Sequence, residues 1–283
     1  MLNPELIDPI IRAALREDIG RKDITTSAVI PKNLAIKADI EFKERGVLCG
    51  LDITEQVFRI VDSNLRFLPV AKDGEPIEAG REVAYMEGLA ASILVGERTA
   101  LNLLSHLSGI ATKTREYVDK VKGTQVRILD TRKTTPGLRV LEKYAVKTGG
   151  GQNHRLGLYD QVLIKDNHLR ILRKEALIDI VALARRSVQK KTVIGVEVIN
   201  IMEAAEALKS KADYILLDNM PVEEVRECVA LRKSIGSKIE FEVSGGVTLD
   251  NVQPYAQTGV ERISVGALTH SFKATDVSLN IVG

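Results

Sequence analysis

Apolar and polar positions follow two successive rhythms along this chain. In the first, Leu6, Ile7, Ile10, Ile11, Ala14 and Leu15 recur at helical spacing and predict a helix over 4–18, with Pro4 near its start. Asp23-Ile24-Thr25-Thr26-Ser27 is too polar for a core and reads as a loop. Leu34, Ile36, Ala38, Ile40 and Phe42 alternate with a period of two, which predicts a half-buried strand over 34–42. A second short strand is expected over 46–50, and Asp52 is placed to cap a helix reaching Val61. Strands are expected again over 65–70 and 81–86, with turn signals at Asp73-Gly74 and Ala79-Gly80 around Glu78. Helix mixed with strands in hairpin-like order is an α+β module.

A strongly helical stretch follows over 89–107, carrying Glu97, Arg98, Asn102 and His106 in an otherwise apolar context. Gly109 is expected to break it and a second helix to run over 111–121, the pair acting as a hinge between modules. From Gln125 the second rhythm begins. Apolar strand-like runs recur at 125–129, 161–164, 193–198, 213–217, 239–243 and 261–265. Helical patterns fill most of the gaps, at 138–146, 174–188, 201–209, 222–235 and 249–257. Strand, loop and helix, repeated with runs buried on both faces, is the signature of a parallel α/β sheet. Six such units are visible, fewer than the eight of a full barrel. The expected fold is therefore α/β: an incomplete, six-unit parallel α/β barrel over 109–270, with a smaller N-terminal α+β domain over 1–108. The tail 271–283 alternates like an edge strand over 276–281, and is predicted to leave the barrel and pair with the N-terminal sheet.

Composition narrows the class without changing the fold. The 283 residues are 45% apolar and contain no low-complexity run, so a packed core is expected. A net charge of +2 argues against a general nucleic-acid surface and against a polybasic membrane contact. Cys49 and Cys228 have no motif spacing and read as two packed thiols in a reducing compartment. Met1 is followed by Leu-Asn-Pro-Glu rather than a charged and then apolar leader, and no apolar run approaches the ~20 residues of a membrane span. A soluble, cytoplasmic protein is the expectation.

The candidate chemistry gathers at the strand ends. After the six runs come Asp130-Thr131-Arg132-Lys133, Lys165-Asp166-Asn167, Glu197, Asp218-Asn219, Ser244-Gly245-Gly246 and Gly266. In a parallel barrel all of these lie on one rim, the rim that holds active sites. Arg132, Lys133, His154, Arg155 and Lys165 follow apolar strands or stand beside the triple glycine 149–151. A lone cation is usually a solvated one. This cluster reads instead as a pocket for an anion with more than one negative group, to which Arg132 offers a planar fork. Ser244, Gly245, Gly246 and Gly266 are placed to bring backbone N–H groups to a phosphate. Glu197 and Asp218 could each cap a following helix. Together they suggest Mg²⁺ held partly through water, contacts to ribose hydroxyls, or charge stabilisation of a cationic sugar.

These residues carry a resemblance. The run from Asp130 to Arg139, Leu141 to Val146, Gly149-Gly150-Gly151 with Asn153-His154-Arg155, Gly157 to Asp160 and Leu163 to His168 closely resemble the quinolinate phosphoribosyltransferases, or nicotinate-nucleotide pyrophosphorylases (carboxylating). So do Glu97 to Asn102, Glu197-Val198, Leu217-Asp218-Asn219, Ser244-Gly245-Gly246 and Ser264-Val265-Gly266. The resemblance implies transfer of phosphoribose from 5-phosphoribosyl 1-pyrophosphate to quinolinate with loss of CO₂, giving nicotinate mononucleotide in NAD biosynthesis, with Mg²⁺. It implies that Arg132, Lys133, His154, Arg155 and Lys165, with Thr131, bind quinolinate, and that Ser244, Gly245, Gly246 and Gly266 hold the 5-phosphate. Glu197 and Asp218 would serve ribose and metal, and would act catalytically with Lys133 and Lys165. A homodimer is implied, in which Arg98 enters the site of the neighbouring subunit. Rival readings are a nicotinate phosphoribosyltransferase, a molybdenum-transport-associated paralogue of the same fold, and a non-catalytic phosphate-ligand sensor.

Overall fold

A computed structural model describes residues 3–172 and 175–282. Met1, Lys174 and Gly283, which bound three of the expected segments, lie outside that range. The chain forms two compact units, each assembled from separated segments.

The first unit comprises Met1–Arg115, Thr134–Gly150 and Ser271–Gly283. It opens with α1 (Pro4–Ile19), whose buried Ile7, Ile11 and Leu15 form the predicted stripe. The stretch expected to be a loop is a short helix, α2 (Ile24–Val29). The side chain of Asp23 accepts the Thr26 N–H at 3.0 Å, so Asp23 is the cap, Thr25 and Ser27 are exposed helix and Thr26 is its buried residue. β1 (Ala35–Phe42) and β2 (Gly46–Val47) follow, then α3 (Leu51–Val61). Asp52 does not cap α3. Asp73 does so from 22 positions along the chain, accepting the Gly50 and Leu51 N–H groups at 2.8 and 3.1 Å. Local sequence could not reveal a cap supplied by tertiary structure. β3 (Arg66–Pro69), β4 (Pro76–Ile77) and β5 (Arg81–Leu89) complete the first run of strands.

Next comes α4 (Ala90–Lys120), one helix of 31 residues where two were expected. Gly109 does not break it. A Cβ at that position would stand 2.3 Å from the Lys273 carbonyl oxygen, so the glycine makes room for the returning tail. The expected hinge at this glycine is continuous helix. α5 (Arg139–Thr148) also belongs to this unit. The tail forms β12 (Val277–Val282), antiparallel to β1, and the sheet order is β12-β1-β5-β3.

The second unit comprises Glu116–Lys133 and Gly151–His270. Its strands are β6 (Arg127–Leu129), β7 (Val162–Ile164), β8 (Ile194–Val198), β9 (Tyr214–Asp218), β10 (Glu240–Ser244) and β11 (Arg262–Ser264). They form one parallel sheet of order β6-β11-β10-β9-β8-β7. The first and second strands are thus its two ends, and an isolated parallel bridge from Leu129 to Gln152 lies at the gap. The helices are α6 (Asp166–Ile171), α7 (Leu177–Ser187), α8 (Ile201–Ala207), α9 (Val222–Ser234), α10 (Val252–Ala256) and α11 (Ala267–His270). β8 is buried at every position and β9 at all but its last, as strands covered on both faces require. This is the six-unit incomplete barrel, with every strand pointing its C-terminal end the same way.

Candidate active site

At those C-terminal ends lies a cavity of about 640 Å³, within the ~300–1,000 Å³ typical of small-molecule sites.

After β6 the chain turns through Asp130, Thr131, Arg132 and Lys133. Asp130 is fully buried, and its Oδ1 accepts the His154 N–H at 2.9 Å. Thr131 Oγ1 accepts the Lys133 N–H at 3.0 Å, and the Lys133 carbonyl accepts the Thr269 hydroxyl at 2.8 Å. The backbone of Lys133 is therefore tied on both sides before its side chain reaches the cavity. His154 and Arg155 are nearly buried. Burial lowers the pKa of the Arg155 guanidinium, and the Arg132 charge lowers it further, against weaker opposite effects from Tyr214, Asp160 and Glu197. Two guanidinium groups close enough to repel in a poorly hydrated place create a demand for an anion.

Lys165 follows β7. Its N–H donates to His168 Nδ1 at 2.9 Å, and its ammonium is paired with the Glu197 carboxylate. Glu197 is the fourth residue of β8 and only 5% exposed. It lies inside the strand, not beyond its end as the sequence suggested, because the apolar run continues through Val198. Asp218 closes β9. Its Oδ2 accepts the Asn219 side-chain amide at 2.7 Å, and the Asn219 N–H donates to the Ser244 carbonyl at 2.8 Å. Asn219 is the non-glycine residue with positive φ (55°) among the described residues.

The last two loops are built differently. Gly245 has φ +87°, and a Cβ there would lie 2.2 Å from Asn219 Oδ1. Only glycine allows both that conformation and that approach. The Gly246 carbonyl accepts the Asn251 amide at 3.0 Å, and Asn251 Oδ1 accepts the Thr248 N–H at 2.8 Å, which shapes the loop. At Gly266 a Cβ would sit 3.0 Å from His270 Nε2 and 3.1 Å from Lys133 Cδ. The stem of Lys133 thus lies against the final glycine, where the cation cluster meets the glycine loops.

Thr131, Arg132, Lys133, His154, Arg155, Lys165, Asp218, Ser244, Gly245, Gly246 and Gly266 all line this one cavity. Glu197 joins them through Lys165. Arg98 is not among the lining residues; it is on α4 with its side chain 63% exposed, 4.0 Å from Glu97. Glu242, Thr248 and His270 line the cavity without having been anticipated. Glu242 had a signal: an ionisable residue in mid-strand of a sheet buried on both faces must have partners. Among the described residues no three His, Cys, Asp or Glu side chains group as a metal site. Mg²⁺ is compatible with fewer, since it commonly uses one or two carboxylates with substrate phosphates and water. Asp218, with the Asn219 amide on Oδ2 alone, suits that role better than the lysine-paired Glu197. No described helix is long and apolar enough to cross a membrane.

Comparison with known proteins agrees with this fold. Residues 23–108 match the N-terminal domain of quinolinate phosphoribosyl transferase, and residues 110–280 match its C-terminal domain. A probable nicotinate-nucleotide pyrophosphorylase [carboxylating] of Methanocaldococcus jannaschii is 44% identical over 280 residues, covering 96% of each chain. Its counterpart in Bacillus subtilis is 41% identical over 265 residues, covering 94% of this chain and 90% of the relative. Among solved structures, the nicotinate-nucleotide pyrophosphorylase of Francisella tularensis superposes with a TM-score of 0.93 at 35% identity, covering 100% of this chain and 98% of the other. The chain belongs to the quinolinate phosphoribosyltransferase family.

Proposed function

We infer that this protein transfers phosphoribose from 5-phosphoribosyl 1-pyrophosphate to quinolinate, releasing pyrophosphate and CO₂ and forming nicotinate mononucleotide for NAD synthesis. The observation that carries the reading is one cavity lined by Arg132, Lys133, Arg155 and Lys165 together with the Ser244-Gly245-Gly246 turn and Gly266. The cations suit a dicarboxylate and the glycine turns suit a phosphate.

The chemistry follows from where charge appears. The pyridine nitrogen attacks the anomeric carbon, and the bond from that carbon to pyrophosphate breaks. Positive charge grows on the ribose, where Asp218 and the buried Glu197 can offset it. Lys133 or Lys165 offsets the negative charge on the departing pyrophosphate. Asp218 would hold Mg²⁺ together with the substrate, and the metal would supply further positive charge toward the leaving group. The alkylated ring is a pyridinium. When the 2-carboxylate leaves as CO₂, its bonding pair stays on the ring carbon beside the cationic nitrogen, and a proton then replaces it. The second step needs no organic cofactor.

The reading includes a cytoplasmic homodimer in which Arg98 of each subunit completes the neighbour's acid pocket. A side chain so exposed on the first unit, in a motif shared with the family, supports that role. A nicotinate phosphoribosyltransferase and a molybdenum-transport paralogue are less well supported, because four cations exceed the need of one carboxylate and the relatives are named for the carboxylating reaction. Steady-state kinetics with both acids tests the choice. Quinolinate should be preferred over nicotinate by about 100-fold or more in kcat/KM, as two or more charge-assisted hydrogen bonds would require. Comparable turnover of the two acids would sink the reading, and binding without pyrophosphate release would leave the sensor.

A further inference from the structure

One buried carboxylate lining the cavity has no part in the chemistry above. Glu242, the third residue of β10, is fully buried. Its Oε2 lies 2.7 Å from Arg262 Nε on the adjacent strand β11, and its Oε1 lies 3.3 Å from His154 Nε2; both are charge contacts, and neither oxygen has a hydrogen-bond partner among the described residues. The Arg262 guanidinium stacks over Tyr214, 4.1 Å from the ring centroid. The Tyr214 hydroxyl is 3.2 Å from the same His154 nitrogen. That ring fills the space over Gly195 of β8, where a Cβ would stand 2.2 Å from it.

The other imidazole nitrogen decides the state of His154. The Arg155 backbone N–H points at His154 Nδ1 from 2.7 Å. An N–H can donate only to a ring nitrogen that carries no proton. Nδ1 is therefore bare, and the ring proton sits on Nε2, facing Glu242 and Tyr214. His154 was grouped with the cations by sequence, but its geometry makes it a connector between a buried acid and the Arg155 backbone.

We propose that Glu242 is a positioning residue for the acid pocket: its charge beside Nε2 favours the Nε2–H tautomer of His154, which leaves Nδ1 to fix the Arg155 amide and so aims the Arg155 guanidinium at the substrate's carboxylates. The links run in order. Arg262 places its charge against one Glu242 oxygen, the other faces the imidazole edge that also meets the Tyr214 hydroxyl, and the imidazole holds the Arg155 N–H, while Asp130 accepts the His154 N–H at 2.9 Å. A proton on Nδ1 would set two N–H groups against each other at 2.7 Å and displace the segment. Burial pushes the Glu242 carboxyl up, but the neighbouring His154 and the Arg262 charge hold it below the usual carboxylate range.

The proposal rests on quinolinate as substrate, but its first test does not. Selective ¹⁵N labelling of the four histidines, with His154 assigned by its loss in His154→Gln, reads the tautomer directly at pH 7. A protonated Nε2 and a bare Nδ1 are expected. An imidazolium, or a proton on Nδ1, overturns the proposal whatever the substrate proves to be. Kinetics then test the link. Glu242→Gln should raise the KM for quinolinate about tenfold or more, the scale of a misplaced charged hydrogen bond. The KM for 5-phosphoribosyl 1-pyrophosphate should stay within about twofold. In a His154→Gln background the same change should add less than about twofold, since both act through one path. Should Arg262, left alone, prevent folding, Glu242→Gln with Arg262→Gln removes both charges and should give the same selective rise. An equal rise in both KM values, or an unchanged quinolinate KM in a folded variant, refutes the positioning role.

Discussion

The loops after β6 and β7 and the loops after β10 and β11 line the same cavity, yet they offer it different atoms. The first pair presents long charged side chains: Arg132, Lys133 and Lys165, with Arg155 from the segment between. The second pair presents main chain, at Gly245, Gly246 and Gly266. A charged side chain must be held, because its reach and flexibility otherwise cost entropy on every binding event. Hence Glu197 pairs with Lys165, and buried Asp130 fixes the His154 backbone. A glycine turn needs no such support, but it does need a backbone that other residues cannot adopt. One half of the site is fragile in its ion pairs and the other in its φ angles.

That contrast can be broken at graded cost. The largest effect is expected at Lys165. Lys165→Ala removes a cation and strands the nearly buried Glu197 carboxylate, and kcat/KM should fall about 10³-fold. Arg98→Ala should be almost as damaging in a homodimer with shared sites. Mixing the two variants under subunit exchange should then restore part of the activity, because one of the two sites in each mixed dimer is intact. Exchange proven without recovery removes Arg98 from the site. Arg155→Ala comes next. Losing one charge-assisted contact of about 1.5–3 kcal/mol should raise the quinolinate KM roughly 10- to 150-fold and spare the phosphoribosyl substrate. If both KM values rise together, the cavity is not divided as described. Gly245→Ala should do the reverse. The positive φ and the clash with Asn219 should cost about 1–3 kcal/mol of stability, visible as a lower Tm, and raise the KM for 5-phosphoribosyl 1-pyrophosphate about tenfold. The smallest effect on either KM, less than about twofold, is expected from Gly109→Ala, whose Cβ would meet the Lys273 carbonyl at 2.3 Å and so acts on stability in the first unit.

What the sequence revealed followed from how local each signal was. The parallel strands were legible within one or two residues because runs such as Tyr214-Ile215-Leu216-Leu217 have no other use for so many adjacent apolar side chains. The polar residues at their ends were legible because parallel topology sends them all to one rim. Features that depend on distant partners were not. Gly109 looked like a helix breaker because the carbonyl it accommodates comes from Lys273, and the α3 cap was given to Asp52 because Asp73 is 22 positions from Leu51. Glu242 and Arg262 passed as ordinary strand residues because only the β10–β11 pairing makes them neighbours. The contact of the Arg155 backbone N–H with His154 Nδ1 was hidden as well, because no side-chain pattern encodes it.

The pairing of β12 with β1 also dictates an order of events during synthesis. Phe42 faces Val277, 235 positions later in the chain. While the ribosome makes everything between them, the outer edge of β1 stays open, with unpaired N–H and carbonyl groups that another strand can capture. The first unit to emerge is therefore among the last to be finished, after the whole barrel has been translated. Chains released before Asp276 should carry a sticky edge and depend on chaperones, whereas chains that reach Val282 close it with β12.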